Sequence, residues 1–299
     1  MTILLLGKDG QVGWQLQRAL AALGPVLACG RAQCDLADTG QIRSLIRQSR
    51  PTIIVNATAY TAVDKAESEP ELAHLINAVA PGVLAEEALQ LDATLLHYST
   101  DYVYDGSKAT PYVESDPTNP QSEYGRSKLA GEAAIRAVGG KSLIFRTSWV
   151  FGEHGGNFVK TILRLARDRE SLNVVDDQVG APTPAELIAD VSAMVLAMLR
   201  GGQRLEKGEN RLYHLASAEP VSWCGFARAI VELAGQMPGF DLRLQAEAIR
   251  AITTSEYPTA ARRPANSQLA CTRLENDFGL QMPGWQASLA RMLERLAAS

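Results

Sequence analysis

The chain has 299 residues, of which 46% are hydrophobic, and its formal net charge is −4. This length allows a large buried core, while the low and mixed charge contains no basic patch of the kind that nucleic-acid binding requires. No apolar run reaches the roughly 18 residues of a membrane helix, so we expect no membrane partner. The cysteines lack the spacing of a metal site or a disulfide framework, which favours reduced thiols in a cytoplasmic protein.

A glycine triplet follows the first predicted strand. Residues 3–6 form a continuous apolar run, typical of a parallel strand that is buried on both faces, and a helical pattern follows it. Glycines at this junction permit a tight turn and let a pyrophosphate approach the backbone at the helix N-terminus. The residues predicted to hold a dinucleotide here are Gly7, Gly10, Gln11, Val12 and Gly13.

The ends of the next two strands extend this site. The predicted strand over 26–29 is followed by Arg31, where a cofactor with a free ribose 2′-hydroxyl usually meets an acidic residue. Arg31 suits the 2′-phosphate of NADPH, although a solvated arginine and NADH remain the alternative. Asp35 and Leu36 stand where an adenine contact is expected. The strand over 53–56 ends in small residues that suit a cofactor lying against the backbone: Ala57, Thr58 and Ala59.

Strands and helices alternate regularly through the first half. A helix is predicted over 70–91 and a strand over 94–97, followed by Ser99 and Thr100. This order predicts a doubly wound parallel sheet, Rossmann-like, with its ligands at the carboxyl ends of the strands. Alternation within the fourth strand makes His97 a buried structural histidine rather than a base.

Tyr124 and Lys128 stand one turn apart on a predicted helix that Ser122 can cap. Both side chains can therefore point into one cleft, where a nearby cation is expected to lower the pKa of the tyrosine from about 10. Such a tyrosine can donate a proton to a carbonyl, and Thr100 can hydrogen-bond the same oxygen. Taken alone, the pattern also fits two exposed residues on a helix surface.

The second half is more mixed. We assign residues 1–150 to a dinucleotide-binding domain and 151–299 mainly to a smaller mixed α/β substrate-binding part, with the sheet completed by part of 170–220. Asn157 either caps a helix or contacts a diphosphate, and Arg262 and Arg263 either bind a diphosphate or face water. The elements predicted here are strands over 142–145, 172–175, 212–215 and 248–253, and helices over 157–167, 184–199, 222–234 and 285–296.

The glycine triplet, the Ser-Thr pair at 99–100 and the Tyr-x-x-x-Lys at 124–128 together resemble the extended short-chain dehydrogenase/reductase family. Strings at 56–67, 99–103, 124–132, 146–152 and 257–264 are similar to its branch of sugar-nucleotide 4-keto reductases.

The resemblance implies NAD(P)H-dependent reduction of the C4 ketone of dTDP-4-dehydro-L-rhamnose to dTDP-L-rhamnose. It implies that Tyr124 donates the proton, that Lys128 holds the nicotinamide ribose and that Thr100 bonds the ketone. The residues that it implies for the dTDP-sugar are Thr61, Val63, Thr100, Asp101, Tyr102 and Trp149, although Trp149 also fits a core tryptophan.

The resemblance also raises the question of a metal. Some relatives pair through Mg²⁺ held by glutamates of two subunits, and Glu186 stands in a matching segment. The second position is Gln15, whose amide oxygen is a weaker ligand, so we expect a monomer or a homodimer without this bridge. Two other functions remain: a non-catalytic dinucleotide-binding regulatory subunit, and an epimerase or a dehydratase. A dehydratase would want a second acid where Tyr102 stands.

Overall fold

The computed structural model describes residues 2–202 and 205–298. Its strands alternate with helices through the first half of the chain and are shorter in the second half. They are β1 (Ile3–Leu6), β2 (Val26–Cys29), β3 (Ile53–Asn56), β4 (Thr94–Thr100), β5 (Lys141–Thr147), β6 (Val150–Phe151), β7 (Leu172–Val175), β8 (Val179–Gly180), β9 (Thr183–Pro184), β10 (Asn210–His214), β11 (Val221–Ser222) and β12 (Ile249–Ile252).

The helices follow the predicted order, with some additions. They are α1 (Gln11–Ala21), α2 (Thr39–Ser49), α3 (Val63–Ala66), α4 (Pro70–His74), α5 (Ala80–Gln90), α6 (Glu123–Val138), α7 (Phe158–Asp168), α8 (Ala185–Gly201), α9 (Trp223–Gly235), α10 (Thr272–Phe278) and α11 (Gln286–Ala297). The short helices α3 and α10 were not predicted. Within the described residues, no helix combines the length and the apolar character needed to cross a membrane.

Six strands form one sheet in the order β2-β1-β3-β4-β5-β10, and all neighbours are parallel. The strand order reverses at β1, because β2 lies on one side of it and β3 on the other. In a doubly wound sheet this reversal opens a crevice at the carboxyl ends of the strands. The predicted fold class is confirmed.

The apolar run of β1 is buried because both faces of the sheet are covered. Ile3 and Leu5 belong to a core that includes residues of α1 and α8, whereas Leu4 and Leu6 pack with α2 and α5 on the other face. Burial of each such side chain contributes about 1.5–3 kcal/mol. The two layers hold the carboxyl end of β1 rigidly beneath the glycine turn.

The helix predicted over 70–91 is interrupted by a π-helical turn over Leu75–Val79. Asn77 lies in this turn. Its side chain accepts a hydrogen bond from Tyr60 N at 2.8 Å and donates to Tyr60 O and to Ser127 Oγ. The turn therefore connects the loop after β3 to α6. Helical periodicity cannot reveal one inserted residue, which is why the prediction missed it.

A second core lies in the C-terminal part. Strand β7 pairs in parallel with β12, and helices α7, α9 and α11 pack together through residues such as Ile162, Phe226 and Leu289. Residues 210–214 instead belong to the large sheet, beside β5. The domain boundary at residue 150 remains a prediction.

Candidate active site

A cavity of about 540 Å³ lies at the carboxyl ends of the sheet strands. Its volume falls in the ordinary range of ligand pockets, about 300–1,000 Å³. The structure brings together many of the residues singled out from the sequence. Those lining the cavity are Gly7, Gly10, Gln11, Val12, Arg31, Asp35, Leu36, Ala57, Thr58, Ala59, Thr61, Tyr124 and Lys128.

The glycine turn presents the open end of α1 to this cavity. Gly7 has φ +87° and lies against the backbone of Ala57, so a side chain is excluded there. Gly13 has no part in the cavity lining, but a β-carbon on it would overlap the carbonyl oxygen of Gly7. No side chain caps the α1 N-terminus, which leaves backbone N–H groups available. This arrangement fits a diphosphate group.

Arg31 and Asp35 lie together at the end of the cavity beyond β2. Arg31 Nε is 3.4 Å from Asp35 Oδ2, and the Arg31 side chain is 81% exposed. A guanidinium suits a 2′-phosphate and a carboxylate suits a 2′-hydroxyl, so the residues present fit either nicotinamide dinucleotide.

Helix α6 positions Tyr124 and Lys128. Ser122 caps it by accepting a hydrogen bond from Gly125 N at 3.2 Å, as the sequence predicted. Gly125 packs so tightly against the carbonyl oxygen of Tyr102 that a β-carbon would clash. The start of the helix therefore presses against the end of β4, and both side chains line the cavity.

The expected lowering of the Tyr124 pKa is wrong. Burial raises the pKa of Tyr124 to about 12, although a hydrogen bond with Thr100 acts in the opposite direction. The negative charge of nearby Asp101 raises it further. Loss of water around a phenolate outweighs the single hydrogen bond. The phenol is accordingly protonated at neutral pH.

Thr100 is hydrogen-bonded to a buried carboxyl group. Its Oγ1 donates to Asp101 Oδ1 at 3.0 Å and accepts from Tyr102 N at 3.2 Å. Burial raises the pKa of Asp101 to about 6. Within the described residues, Thr100 and Asp101 are both buried and lie outside the cavity lining.

Lys128 is enclosed between α6 and β4. Its Nζ donates to Tyr98 O at 2.6 Å and lies 3.3 Å from His97 Nε2. Burial lowers the pKa of Lys128 to about 8. Burial, followed by the Lys128 charge, also holds the pKa of His97 well below its usual value. The prediction of a buried histidine is confirmed.

Of the other residues implied for the sugar, Thr61 lines the cavity and Tyr102 contacts Tyr124. Val63 is the first residue of α3, and the Tyr102 ring packs edge-on against Tyr124 with centroids 5.4 Å apart. Trp149 has φ +48° and stacks on Trp223 with ring centroids 3.5 Å apart. In the described part of the chain, Val63, Tyr102 and Trp149 are absent from the cavity lining.

The structure gives contacts for two residues whose roles the sequence left open. Asn157 caps α7, since its Oδ1 accepts from Lys160 N, and its amide also donates to Gln11 Oε1 at 3.0 Å. Arg263 forms an ion pair of 2.8 Å with Asp64 instead of standing free in water. This ion pair connects α3 to the loop that precedes Asn266.

Several lining residues were missed from the sequence. Ser99, expected at this edge of the sheet, lines the cavity, and Thr147 stands at the carboxyl end of the adjacent strand, which is the signal that could have identified it. Gly155 and Gly156 come from the loop before α7, which His154 connects to Asp9 O at 2.9 Å. The further missed residues are Asp9, Gly30, Cys34, Ile76, Tyr98 and Val150.

Glu186 lies in the first turn of α8, with its carboxylate 3.8 Å from the Arg295 guanidinium. Arg295 also pairs with Glu153 at 2.6 Å. Within residues 2–202 and 205–298, no group of three or more His, Cys, Asp or Glu side chains could hold a metal ion.

Comparison with known proteins identifies the family. The model of the RmlD substrate binding domain matches residues 1–298. The chain is 46% identical to the dTDP-4-dehydrorhamnose reductase of Burkholderia thailandensis, with 96% of each chain covered. It is also 46% identical to the enzyme of that name from Escherichia coli K12, over 99% of this chain and 98% of the relative.

A solved structure agrees with these relatives. The dTDP-4-dehydrorhamnose reductase of Bacillus anthracis in complex with NADP is 32% identical, with a TM-score of 0.86 over 98% of this chain and 99% of the other. Family model, sequence relatives and solved structure all span nearly the full length. The chain belongs to the RmlD substrate binding domain family.

Proposed function

We propose that this chain reduces the C4 ketone of dTDP-4-dehydro-L-rhamnose to dTDP-L-rhamnose, the last step of dTDP-L-rhamnose biosynthesis. One observation carries the proposal: Tyr124 and Lys128 line the same cavity as the open N-terminus of α1. Relatives that match this chain over almost their whole length are named dTDP-4-dehydrorhamnose reductase.

The cavity has the groups that NADPH or NADH needs. The α1 N-terminus would hold the diphosphate, Arg31 or Asp35 the adenosine ribose, and Lys128 the nicotinamide ribose. Ala57, with the two residues after it, would lie along the dinucleotide. When bound, the reduced nicotinamide supplies the hydride that converts the ketone to an alcohol.

The chain's own contribution is a proton and its positioning. Tyr124 is neutral at working pH, so its hydroxyl can donate to the C4 oxygen as negative charge develops there. Thr100 would hydrogen-bond the same oxygen. Asp101, behind Thr100, fixes the threonine hydroxyl.

The dTDP-sugar would lie beside Tyr124, against Thr61, Val63, Tyr102 and Trp149. Support for Trp149 comes from its backbone. A left-handed φ costs a tryptophan about 1–3 kcal/mol, and strained residues of this kind cluster at functional sites. The stacked Trp223 holds the indole in place.

Purified protein supplied with NADPH and dTDP-4-dehydro-L-rhamnose tests the proposal. The absorbance of the reduced cofactor should fall, and dTDP-L-rhamnose should appear in equal amount. Tight NADPH binding without turnover would instead indicate a regulatory binding subunit. Conversion of dTDP-glucose or another hexose nucleotide, with no net oxidation of cofactor, would indicate a dehydratase or an epimerase.

We also infer a cytoplasmic enzyme that works as a monomer or a homodimer without a bridging metal. Four free, buried cysteines support the location. Gln15 and the Arg295 neighbour of Glu186 support the absence of a metal bridge, since an adjacent cation opposes Mg²⁺. Light scattering should give the same mass with Mg²⁺ as with EDTA; a larger mass with Mg²⁺ alone would contradict the inference.

A further inference from the structure

A fully buried chain of polar side chains leads from β3 to Lys128. Asn56 Nδ2 lies 3.0 Å from His97 Nδ1, and His97 Nε2 lies 3.3 Å from Lys128 Nζ. Asn56 and His97 are both 0% exposed, and Lys128 is 1% exposed. Water cannot supply alternative partners here, so the hydrogen-bond donors and acceptors must match among these groups.

The backbone fixes the orientation of the Asn56 amide. Thr58 N donates to Asn56 Oδ1 at 3.1 Å, and Thr58 Oγ1 donates to the same oxygen. The amide nitrogen of Asn56 must therefore face His97 and donate to Nδ1. A histidine whose Nδ1 accepts a hydrogen bond carries its proton on Nε2.

That proton meets Lys128. An ammonium has three donors and no acceptor, whereas a neutral amine has a lone pair. A neutral Lys128 can donate one hydrogen to Tyr98 O, accept from His97 Nε2, and keep a second hydrogen for the cavity. If Lys128 were charged, its Nζ and His97 Nε2 would be two hydrogen-bond donors that face each other at 3.3 Å.

We propose that Asn56 and His97 are positioning residues for Lys128, and that the N–H on His97 Nε2 favours the neutral amine of Lys128. The inference rests on the proposed function, in which Lys128 holds the nicotinamide ribose. It gives the lysine a second property, which is a proton that exchanges in the working pH range. The neighbouring Tyr124 must regain its own proton after each turnover.

Other charged groups surround Lys128 and act differently. Glu132, on the same helix, favours the charged lysine, but it is already paired with Arg146 of β5 at 2.6 Å. Tyr124 is neutral, and Asp101 lies beyond it, after β4. Burial and the histidine N–H therefore outweigh the glutamate, in agreement with the lowered pKa of Lys128.

An isosteric change in Asn56 reverses the direction of the hydrogen bonds that link Asn56, His97 and Lys128. Asn56→Asp keeps the acceptor for Thr58 N but replaces the amide donor by a carboxylate. His97 must then carry its proton on Nδ1, and Nε2 offers a lone pair to Lys128. His97→Gln gives a second, uncharged route, because its amide oxygen can accept from the ammonium.

The experiment titrates Lys128 directly by NMR of protein with ¹³Cε-labelled lysine, with Lys128→Arg to assign the signal. Wild-type Lys128 should titrate well below an ordinary lysine, and both variants should raise its pKa by about one unit or more. Ser192→Ala, which removes a buried bond to Tyr98 on the same strand, should leave it unchanged. The pH midpoint of NADPH affinity should move in parallel.

An unchanged Lys128 titration in folded Asn56→Asp and His97→Gln would overturn the proposal, and so would an ordinary pKa in the wild type. Loss of stability without movement of the titration would show a merely structural role and also overturn it. The titration needs no sugar nucleotide, so it answers the question even if the proposed reduction fails.

Discussion

Lys128 Nζ donates a hydrogen bond to the backbone carbonyl oxygen of Tyr98 over 2.6 Å. This bond holds the lysine against β4, and the desolvation of Tyr124 prevails. The tyrosine is consequently a neutral acid, with its pKa raised to about 12. For a reduction, in which the oxygen of the substrate needs a proton, this is the useful state.

Replacement of the phenol should separate chemistry from binding. Tyr124→Phe should lower kcat by about 10²–10⁴-fold, because a general acid contributes that much, while the dissociation constant of NADPH stays within a few-fold. Steady-state kinetics and cofactor titration give the two quantities. Tyr213→Phe, which loses a hydroxyl bonded to Asp277, is the matched control. Full activity of Tyr124→Phe would remove the catalytic assignment.

Arg31 should set the preference between the two dinucleotides. A charged hydrogen bond contributes about 1.5–3 kcal/mol, so Arg31→Ala should lower the ratio of kcat/KM for NADPH over NADH about tenfold or more. Arg250→Ala, exposed on β12, serves as the control. An unchanged ratio for Arg31→Ala, together with a ratio that rises for Asp35→Ala, would transfer the role to the carboxylate.

Removal of one partner of the buried ion pair that Ser99 contacts should be strongly destabilising. Arg146 binds Glu132 through two hydrogen bonds of 2.6 and 2.8 Å, and Ser99 Oγ donates to the same carboxylate. Glu132→Ala leaves the guanidinium buried and unpaired, at a cost of about 3–5 kcal/mol in the free energy of unfolding.

Arg136 offers an internal comparison for this prediction. It also pairs with Glu132, but its side chain is 43% exposed. Arg136→Ala should cost less than about 1 kcal/mol. Urea unfolding measures both variants, and equal losses would show that burial does not decide the strength of these pairs.

Asp101 should make stability depend on pH. Its pKa rises on folding from 3.8 to about 6, so the folded state binds the proton more tightly than the unfolded state. The resulting contribution is fully present below pH 3.8 and is lost as the pH rises through about 6. Asp101→Asn cannot ionise and should therefore gain stability relative to the wild type between about pH 4 and pH 7.

Thermal unfolding of both proteins across this pH range measures the difference. A constant offset between the wild type and Asp101→Asn would mean that the carboxyl group does not change its proton affinity on folding. The size of the stability difference at any single pH has no bearing on the prediction, because the substitution also changes local hydrogen bonding.

Local signals were enough for much of the architecture. Apolar runs such as 3–6 and 53–56 predicted buried parallel strands, since only covered strands are apolar on both faces. Ser122 predicted the start of α6, because capping depends on residues three apart. The alternation of strands with helices then required a crevice at the strand ends, where Gly7 and Ala57 indeed meet.

The sequence by itself thus determined the fold class, the glycine turn and the spacing of Tyr124 and Lys128. All three depend on neighbours along the chain. Only the tertiary structure decided the protonation states, the π-helical turn and the contribution of Gly155 to the cavity. A pKa depends on loss of water and on groups brought from other strands, as His97 and Tyr98 are brought to Lys128. Such distances exist only after the sheet has formed.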